Sequence, residues 1–199
     1  MAMQVGVARA RVPVLVDVLP GTALRDVLAV VGGAALVGLL AQVAVPLGFT
    51  PVPLTGQTLG VLLVGTALGW RRAVAAMGLY LVAGLAGVPW FAGHASGWPG
   101  ASGGFLVGFV LAAAVCGWLA ERGGDRRVWR SAVLMVAGEV AIYAVGVPWL
   151  AVSLHVGLAK AIALGCTPFL VGDALKAAAA AGLAPAAWRL VDGAPRRRR

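Results

Sequence analysis

The chain has 199 residues, of which 61% are hydrophobic and only 12% are charged, and its mean hydropathy is +0.94. Soluble domains carry roughly a quarter charged residues, so this composition excludes an ordinary soluble domain and predicts a polytopic membrane protein. The net charge of +9 does not indicate nucleic-acid binding, because the basic residues lie at the ends of apolar runs and in the tail Arg196 to Arg199.

The first apolar run predicts a membrane helix over about residues 24–45, with Thr22 as its N-terminal cap. Ala34 and Gly38 are four residues apart in this helix and place a stripe of small side chains on one face. Two interpretations of the stripe are open. It packs within the helix bundle, or it docks onto another membrane subunit.

Five further apolar runs predict five more spans. They cover about residues 55–68, 73–88, 103–120, 128–150 and 168–188. The second and third spans are short, since a bilayer crossing needs roughly 20 residues. Prolines before the second span predict an extended connector, and the amphipathic residues 151–164 are expected to lie along the membrane interface. The predicted fold is therefore an all-α, six-helix membrane bundle.

The basic residues predict how this bundle is oriented. With six spans, fourteen of the 16 basic residues fall on the side of the two termini, and Lys160 alone lies on the opposite side. Positive loops stay in the cytoplasm, so both termini of this multi-pass protein of the cytoplasmic membrane are predicted to be cytoplasmic. The chain then divides into an N-terminal segment (1–21), a membrane domain (22–190) and a basic tail (191–199).

The glycine- and aromatic-rich loop 89–104 is predicted to lie outside. One interpretation is an interfacial loop anchored by its aromatic residues. The other is a lid over a ligand pocket, with backbone N–H donors that glycine leaves accessible.

Three charged side chains lie well inside the predicted spans: Glu139, Asp173 and Lys176. Each costs about 2.5–3.5 kcal/mol at the centre of a bilayer. Asp173 and Lys176 share one face of the last helix, near its external end. They form either a structural ion pair, with Glu139 as an alternative partner of Lys176, or a site that hydrogen-bonds a polar ligand.

Catalytic motifs are missing from the sequence. It contains no nucleophile elbow, no zinc-protease motif and no phosphate-binding loop. We therefore predict a protein that is not an enzyme and that needs no cofactor or metal. The alternative from the enzyme class is an integral membrane enzyme that uses Glu139 and Asp173 as acid and base.

Five stretches, taken together and in order, resemble the BioY family, the biotin-binding S components of energy-coupling factor (ECF) vitamin transporters. They are residues 51–60, 80–93, 102–109, 138–143 and 167–176. The resemblance covers about residues 24–190 and implies a six-helix bundle that binds biotin from outside. It also implies a transmembrane coupling subunit and two ATPase subunits as partners, with Ala34 and Gly38 as the docking face. An S component for another small vitamin is the alternative within the same fold.

The resemblance also implies roles for single residues. Asp173 and Lys176 are expected to face the ureido ring of biotin, with Glu139 as a further ligand-binding candidate. Ser102, or backbone amides of loop 93–104, is expected to meet the biotin carboxylate. The apolar part of biotin is expected to rest on aromatic side chains, namely Tyr80, Trp90, Phe91 and Tyr143.

Overall fold

The computed structural model describes residues 12–21 and 23–193. The predicted cap at Thr22, the basic residues Arg9 and Arg11 and the tail Arg196 to Arg199 lie outside these residues. Ahead of the first α-helix, the described part of the N-terminal segment contains a short 3-10 helix, Leu15–Val18.

Most of the described residues belong to seven α-helices. In chain order these are α1 (Ala23–Ala41), α2 (Gln57–Leu68), α3 (Trp70–Leu85), α4 (Gly103–Ala120), α5 (Val128–Leu154), α6 (Leu158–Gly165) and α7 (Leu170–Gly193). The connector between α1 and α2 contains two short antiparallel strands, β1 (Ala44–Val45) and β2 (Leu54–Thr55). The mainly helical prediction is thus confirmed, and the strand pair is a small departure from an all-α fold.

Among the described residues, four helices are long and apolar enough to cross a membrane: α1, α4, α5 and α7. α2 and α3 have 12 and 16 residues, fewer than the roughly 20 that a bilayer crossing needs. A single residue joins them, Gly69, whose φ of +76° is accessible to glycine without strain. Much of α2 is buried in the bundle, so neighbouring helices cover this short helix.

Glycines set the close approach of α4 to α5. A Cβ atom added at Gly108 would lie 2.8 Å from the carbonyl oxygen of Ile142, and one at Gly104 would lie 2.2 Å from the Cβ of Trp149. Small residues at such contacts let helix backbones pack directly in lipid. The close packing fixes α5 within the bundle, and with it the side chains that α5 presents to α7.

Ala34 and Gly38 face the interior of the bundle. Ala34 is fully buried, and a Cβ atom added at Gly38 would lie 3.2 Å from the Cβ of Trp90. The docking prediction for these two residues does not fit this structure, because the bundle itself covers them. The exposed face of α1 consists instead of large apolar side chains: Leu24, Val27, Leu28, Val31 and Leu39.

The predicted interfacial segment 151–164 is divided between two helices. α5 continues past Pro148 to Leu154, and His155 then adopts a left-handed conformation with φ of +54° that ends the helix. α6 begins after this turn. Residues 151–164 are thus the end of α5, a turn and most of α6, and their position along the membrane interface stays a prediction.

Candidate functional site

A cavity of about 320 Å³ lies at the end of the bundle where α7 begins. Its walls come from α2, α4, α5 and α7, from the connector that contains β2, and from the loop before α4. Most lining residues are apolar and a few are polar, as is typical of small-molecule sites of roughly 300–1,000 Å³. The lining side chains that matter below are Thr58, Phe91, Ser102, Tyr143, Asp173 and Lys176.

Asp173 is the centre of a hydrogen-bonded cluster in the cavity wall. Its Oδ1 accepts hydrogen bonds from Lys176 Nζ at 2.9 Å and from Thr58 Oγ1 at 3.2 Å. Its Oδ2 accepts a hydrogen bond from the Tyr143 hydroxyl. Lys176 Nζ also donates to Thr58 Oγ1 at 3.0 Å. One carboxylate therefore connects α2, α5 and α7.

Local helix geometry explains why the cluster forms. Asp173 lies in the first turn of α7, and its spacing of three residues from Lys176 puts both side chains on one face. Asp173 is only 6% exposed. Because a buried ion pair is tolerated only when its remaining polar atoms are satisfied, the hydroxyls of Thr58 and Tyr143 make the pair sustainable there.

The cluster keeps some hydrogen-bonding capacity unused. An ammonium group has three donors, and Lys176 uses two of them on Thr58 and Asp173. A carboxylate has about four lone-pair sites, and Asp173 uses three. The wall thus offers an N–H donor beside a carboxylate acceptor. This pattern suits a molecule that carries an adjacent C=O and N–H.

Tyr80 and Trp90 lie behind the cavity wall. The Tyr80 hydroxyl accepts a hydrogen bond from Gln57 Nε2 at 2.8 Å and donates to the Trp90 carbonyl oxygen at 3.2 Å. The Tyr80 ring contacts the ring of Phe91 edge-on, with centroids 5.4 Å apart. Of the four predicted aromatic contacts, Phe91 and Tyr143 line the cavity. Tyr80 packs between the rings of Trp90 and Phe91, and a direct contact of Tyr80 or Trp90 with a ligand stays a prediction.

Glu139 lies one helical turn before Tyr143 on α5 and does not line the cavity. It is buried, and neither of its carboxylate oxygens has a hydrogen-bond partner among the described residues. Lys176 forms its ion pair with Asp173. The alternative pairing of Lys176 with Glu139 is therefore not formed, and direct contact of Glu139 with a ligand stays a prediction.

The loop between α3 and α4 forms one side of the cavity. Its contributions to the lining include the side chains of Phe91, Trp98 and Ser102. Gln42, just after α1, holds this loop, because its Oε1 accepts from the backbone N–H of His94 at 3.0 Å. Trp149 Nε1 donates to the Gly100 carbonyl oxygen at 3.0 Å and ties the loop to α5. The loop therefore occupies the position of a lid.

Thr58 is the main residue of the cluster that the sequence did not single out. It follows Gln57, and together they form a polar pair at the start of a short, mainly apolar helix. Gln57 is buried and holds the Tyr80 hydroxyl. Two adjacent hydrogen-bonding side chains at the end of an apolar run were the signal that could have identified them.

A sequence model of the BioY family matches residues 9–193. The chain belongs to the BioY family. This confirms the resemblance that the five sequence stretches predicted. The biotin transporter BioY of Rhizobium etli is 36% identical over 168 residues, which cover 79% of this chain and 89% of that protein. The biotin transporter BioY of Thermotoga maritima is 39% identical over 153 residues, which cover 75% of this chain and 88% of that protein.

A solved structure shares the BioY fold seen here. The crystal structure at 2.1 Å of the S-component for biotin from an ECF-type ABC transporter matches with a TM-score of 0.76 and 21% sequence identity. The match covers 85% of this chain and 95% of that chain. At this level of identity the likeness shows the fold.

Proposed function

We propose that this BioY-family protein binds biotin with high affinity and takes it up across the cytoplasmic membrane as the substrate-specific subunit of an ECF transporter. The observation that carries the proposal is the cluster around Asp173 in the wall of an otherwise largely apolar cavity. Family membership and relatives named as biotin transporters supply the identity of the ligand.

The chemistry of biotin suits the cavity. Its ureido ring carries two N–H donors and one carbonyl acceptor. The remaining lone pair of Asp173 accepts an N–H, and the remaining donor of Lys176 meets the carbonyl. The thioether ring and the valeryl chain rest against Phe91 and Tyr143, and the carboxylate reaches the loop at Ser102.

The proposed arrangement in the membrane has six spans, with α2 and α3 as two short ones. Residues 1–21 and 191–199 lie in the cytoplasm, and the cavity opens to the outside. The four long apolar helices and the basic residues near one end of the bundle support this arrangement. Energy for uptake comes from a transmembrane coupling subunit and two ATPase subunits.

Equilibrium calorimetry on the purified protein tests the ligand and its orientation together. We expect saturable binding of biotin at one site, and no binding of a vitamin that lacks a ureido ring. Methylation of the ureido nitrogens removes the donors to Asp173 and is expected to weaken binding more than esterification of the carboxylate does. Binding of another vitamin in place of biotin contradicts the proposal that biotin is the ligand. Turnover of a lipid or peptide substrate contradicts the proposed transport function.

A further inference from the structure

A second concave surface lies between the start of α3 and the last turns of α4, apart from the cavity described above. It is a groove of about 420 Å³ whose lining is almost entirely apolar. Its lining residues are Trp70, Ala114, Val115, Trp118 and Leu119. Because α4 is one of the helices able to cross a membrane and Trp118 is 48% exposed on it, we refer to this surface as the lateral groove.

The backbone holds the lateral groove in shape. A Cβ atom added at Gly117 would lie 2.3 Å from the backbone nitrogen of Trp70, so the start of α3 packs directly against the backbone of α4. The Glu121 carboxylate accepts a hydrogen bond from the Trp70 N–H at 3.2 Å and fixes that start further. Trp70 and Trp118 both line the groove that results.

Two arginines lie over these two tryptophans. The guanidinium carbon of Arg122 is 3.4 Å from the ring centre of Trp118, and its Nη1 donates to the Trp118 carbonyl oxygen at 3.0 Å. The guanidinium carbon of Arg71 is 5.3 Å from the ring centre of Trp70. Both arginines are exposed. Within residues 12–21 and 23–193, the ion pairs are made by other basic side chains: Arg25, Arg72, Arg126 and Lys176.

We propose that the lateral groove binds one anionic phospholipid. Its acyl chain lies along the apolar lining, and its phosphate is held by Arg71 and Arg122. Interfacial tryptophans mark the depth at which head groups lie, and arginines near a membrane surface attract anionic lipids. Only the assignment of this lipid to the cytoplasmic leaflet rests on the orientation of the bundle given under the proposed function.

The charge pattern favours a lipid over a helix of a partner protein. A helix that is apolar enough to fill the lateral groove brings no negative charge of its own to the two guanidinium groups at its edge, where the carboxylate of Glu121 accepts from Trp70. An anionic phospholipid supplies both an apolar chain for the lining and a negative phosphate for the two arginines, and the two parts are joined in one molecule. Arg122 is also held by its contact with Trp118 and does not need to rearrange.

Native mass spectrometry of the purified protein, incubated with phosphatidylglycerol or with phosphatidylcholine of identical acyl chains, tests the proposal. We expect retention of one phosphatidylglycerol and little retention of phosphatidylcholine. Arg71→Gln and Arg122→Gln are each expected to weaken retention about fivefold, the effect of one basic residue at an anionic surface. Ala114→Trp fills the lateral groove and is expected to abolish retention, and Ala114→Leu to reduce it.

Matched control variants lie on α5. Arg130 stands 5.2 Å from the ring centre of Trp129, in an arrangement like that of Arg71, and Val133 is 60% exposed. Neither lines the lateral groove, so Arg130→Gln and Val133→Trp should leave retention unchanged. Thermal unfolding midpoints identify any variant that is misfolded.

Three outcomes overturn the proposal. Equal retention of the two lipids shows that the head-group charge does not determine binding. Retention that survives both Ala114 variants shows that the lipid does not bind in the lateral groove. Ala114 variants that keep the lipid but no longer assemble with a coupling subunit assign the surface to a partner protein. None of these outcomes depends on whether the cavity binds biotin.

Discussion

Two buried aspartates lie at opposite ends of the bundle, and their surroundings differ. Asp173, at the start of α7, pairs with Lys176 in the wall of the cavity. Asp125, in the loop between α4 and α5, is fully buried and does not line the cavity. Its Oδ2 accepts a hydrogen bond from Trp188 Nε1, near the end of α7.

The surroundings of Asp125 serve to hold chain segments together. The Arg126 guanidinium carbon lies 3.4 Å from the ring centre of Trp188, and Arg126 Nη2 donates to the Pro13 carbonyl oxygen at 3.0 Å. The loop before α5, the end of α7 and the N-terminal segment therefore meet at this aspartate. Burial of an acid does not by itself identify a ligand site. The Oδ1 of Asp125 also lacks a hydrogen-bond partner among the described residues, so what distinguishes Asp173 is its place in the wall of the cavity beside an unused ammonium donor.

The largest expected effect is a loss of biotin affinity when Asp173, but not Asp125, is substituted. Asp173→Asn removes the charge that pairs with Lys176 and leaves the ammonium in a shielded site without its counter-charge. We expect biotin affinity to fall by about 2–5 kcal/mol, or at least about thirtyfold, in calorimetric titrations. Asp125→Asn is the matched control and should change affinity by less than about threefold. Equal losses in the two variants contradict the assignment of the site to the Asp173 end.

The next effect is on stability. Trp188→Phe keeps an aromatic ring but removes the N–H that Asp125 accepts. A buried acceptor that loses its donor costs about 1–3 kcal/mol, so the thermal unfolding midpoint should fall while biotin affinity stays unchanged. Trp129→Phe is the control, because Trp129 is 61% exposed on α5. A midpoint that is the same in both variants shows that the Asp125 contact does not stabilise the bundle.

Several features of this fold were accessible from the sequence. The bounds of α4 were predicted as residues 103–120 and match the structure, because an unbroken apolar run there ends at a charged loop. Asp173 and Lys176 stood out because charged residues are rare in apolar runs and a spacing of three places them on one helix face.

Other features depend on tertiary contacts that a sequence pattern does not report. Thr58 reaches Asp173 across 115 positions of the chain, so helical spacing gave no sign of the contact. Ala34 and Gly38 were assigned to a docking face although they are buried. In a helix that is apolar on every side, such as α1, hydrophobic periodicity does not distinguish the face towards lipid from the face towards the bundle.

A smaller effect sharpens the role of the cluster. Thr58→Val keeps the shape of the side chain but removes the hydroxyl that bonds both Asp173 and Lys176. We expect biotin affinity to fall about five- to tenfold, the size of one ordinary hydrogen bond, because the hydroxyl acts on the ligand only through the ion pair that it positions. Thr66→Val is the control on the same helix, since Thr66 is buried and donates to the Leu62 carbonyl oxygen at 2.7 Å, away from the cavity. Unchanged affinity in Thr58→Val means that the ion pair forms the site without the hydroxyl.

The smallest expected effect is the pH dependence of stability at the other aspartate. Burial raises the pKa of Asp125 above its ordinary value of 3.8, and the hydrogen bond from Trp188 only partly offsets this. The folded protein therefore holds the Asp125 proton to higher pH than the unfolded chain does. It follows that the contribution of Asp125 to stability declines as pH rises from 3.8 through the folded-state pKa.

Asp125→Asn removes this titration but keeps an oxygen that accepts from Trp188. Unfolding midpoints of the wild type and the variant, compared in one detergent between about pH 4 and pH 7, should show the wild type losing stability relative to the variant as pH rises. The opposite trend means that the positive charge of Arg126, 3.9 Å from Asp125, outweighs burial. Biotin affinity should not follow the same difference. If it does, protonation of Asp125 at one end of α7 changes biotin binding at Asp173 near the other end, and the two aspartates are energetically coupled.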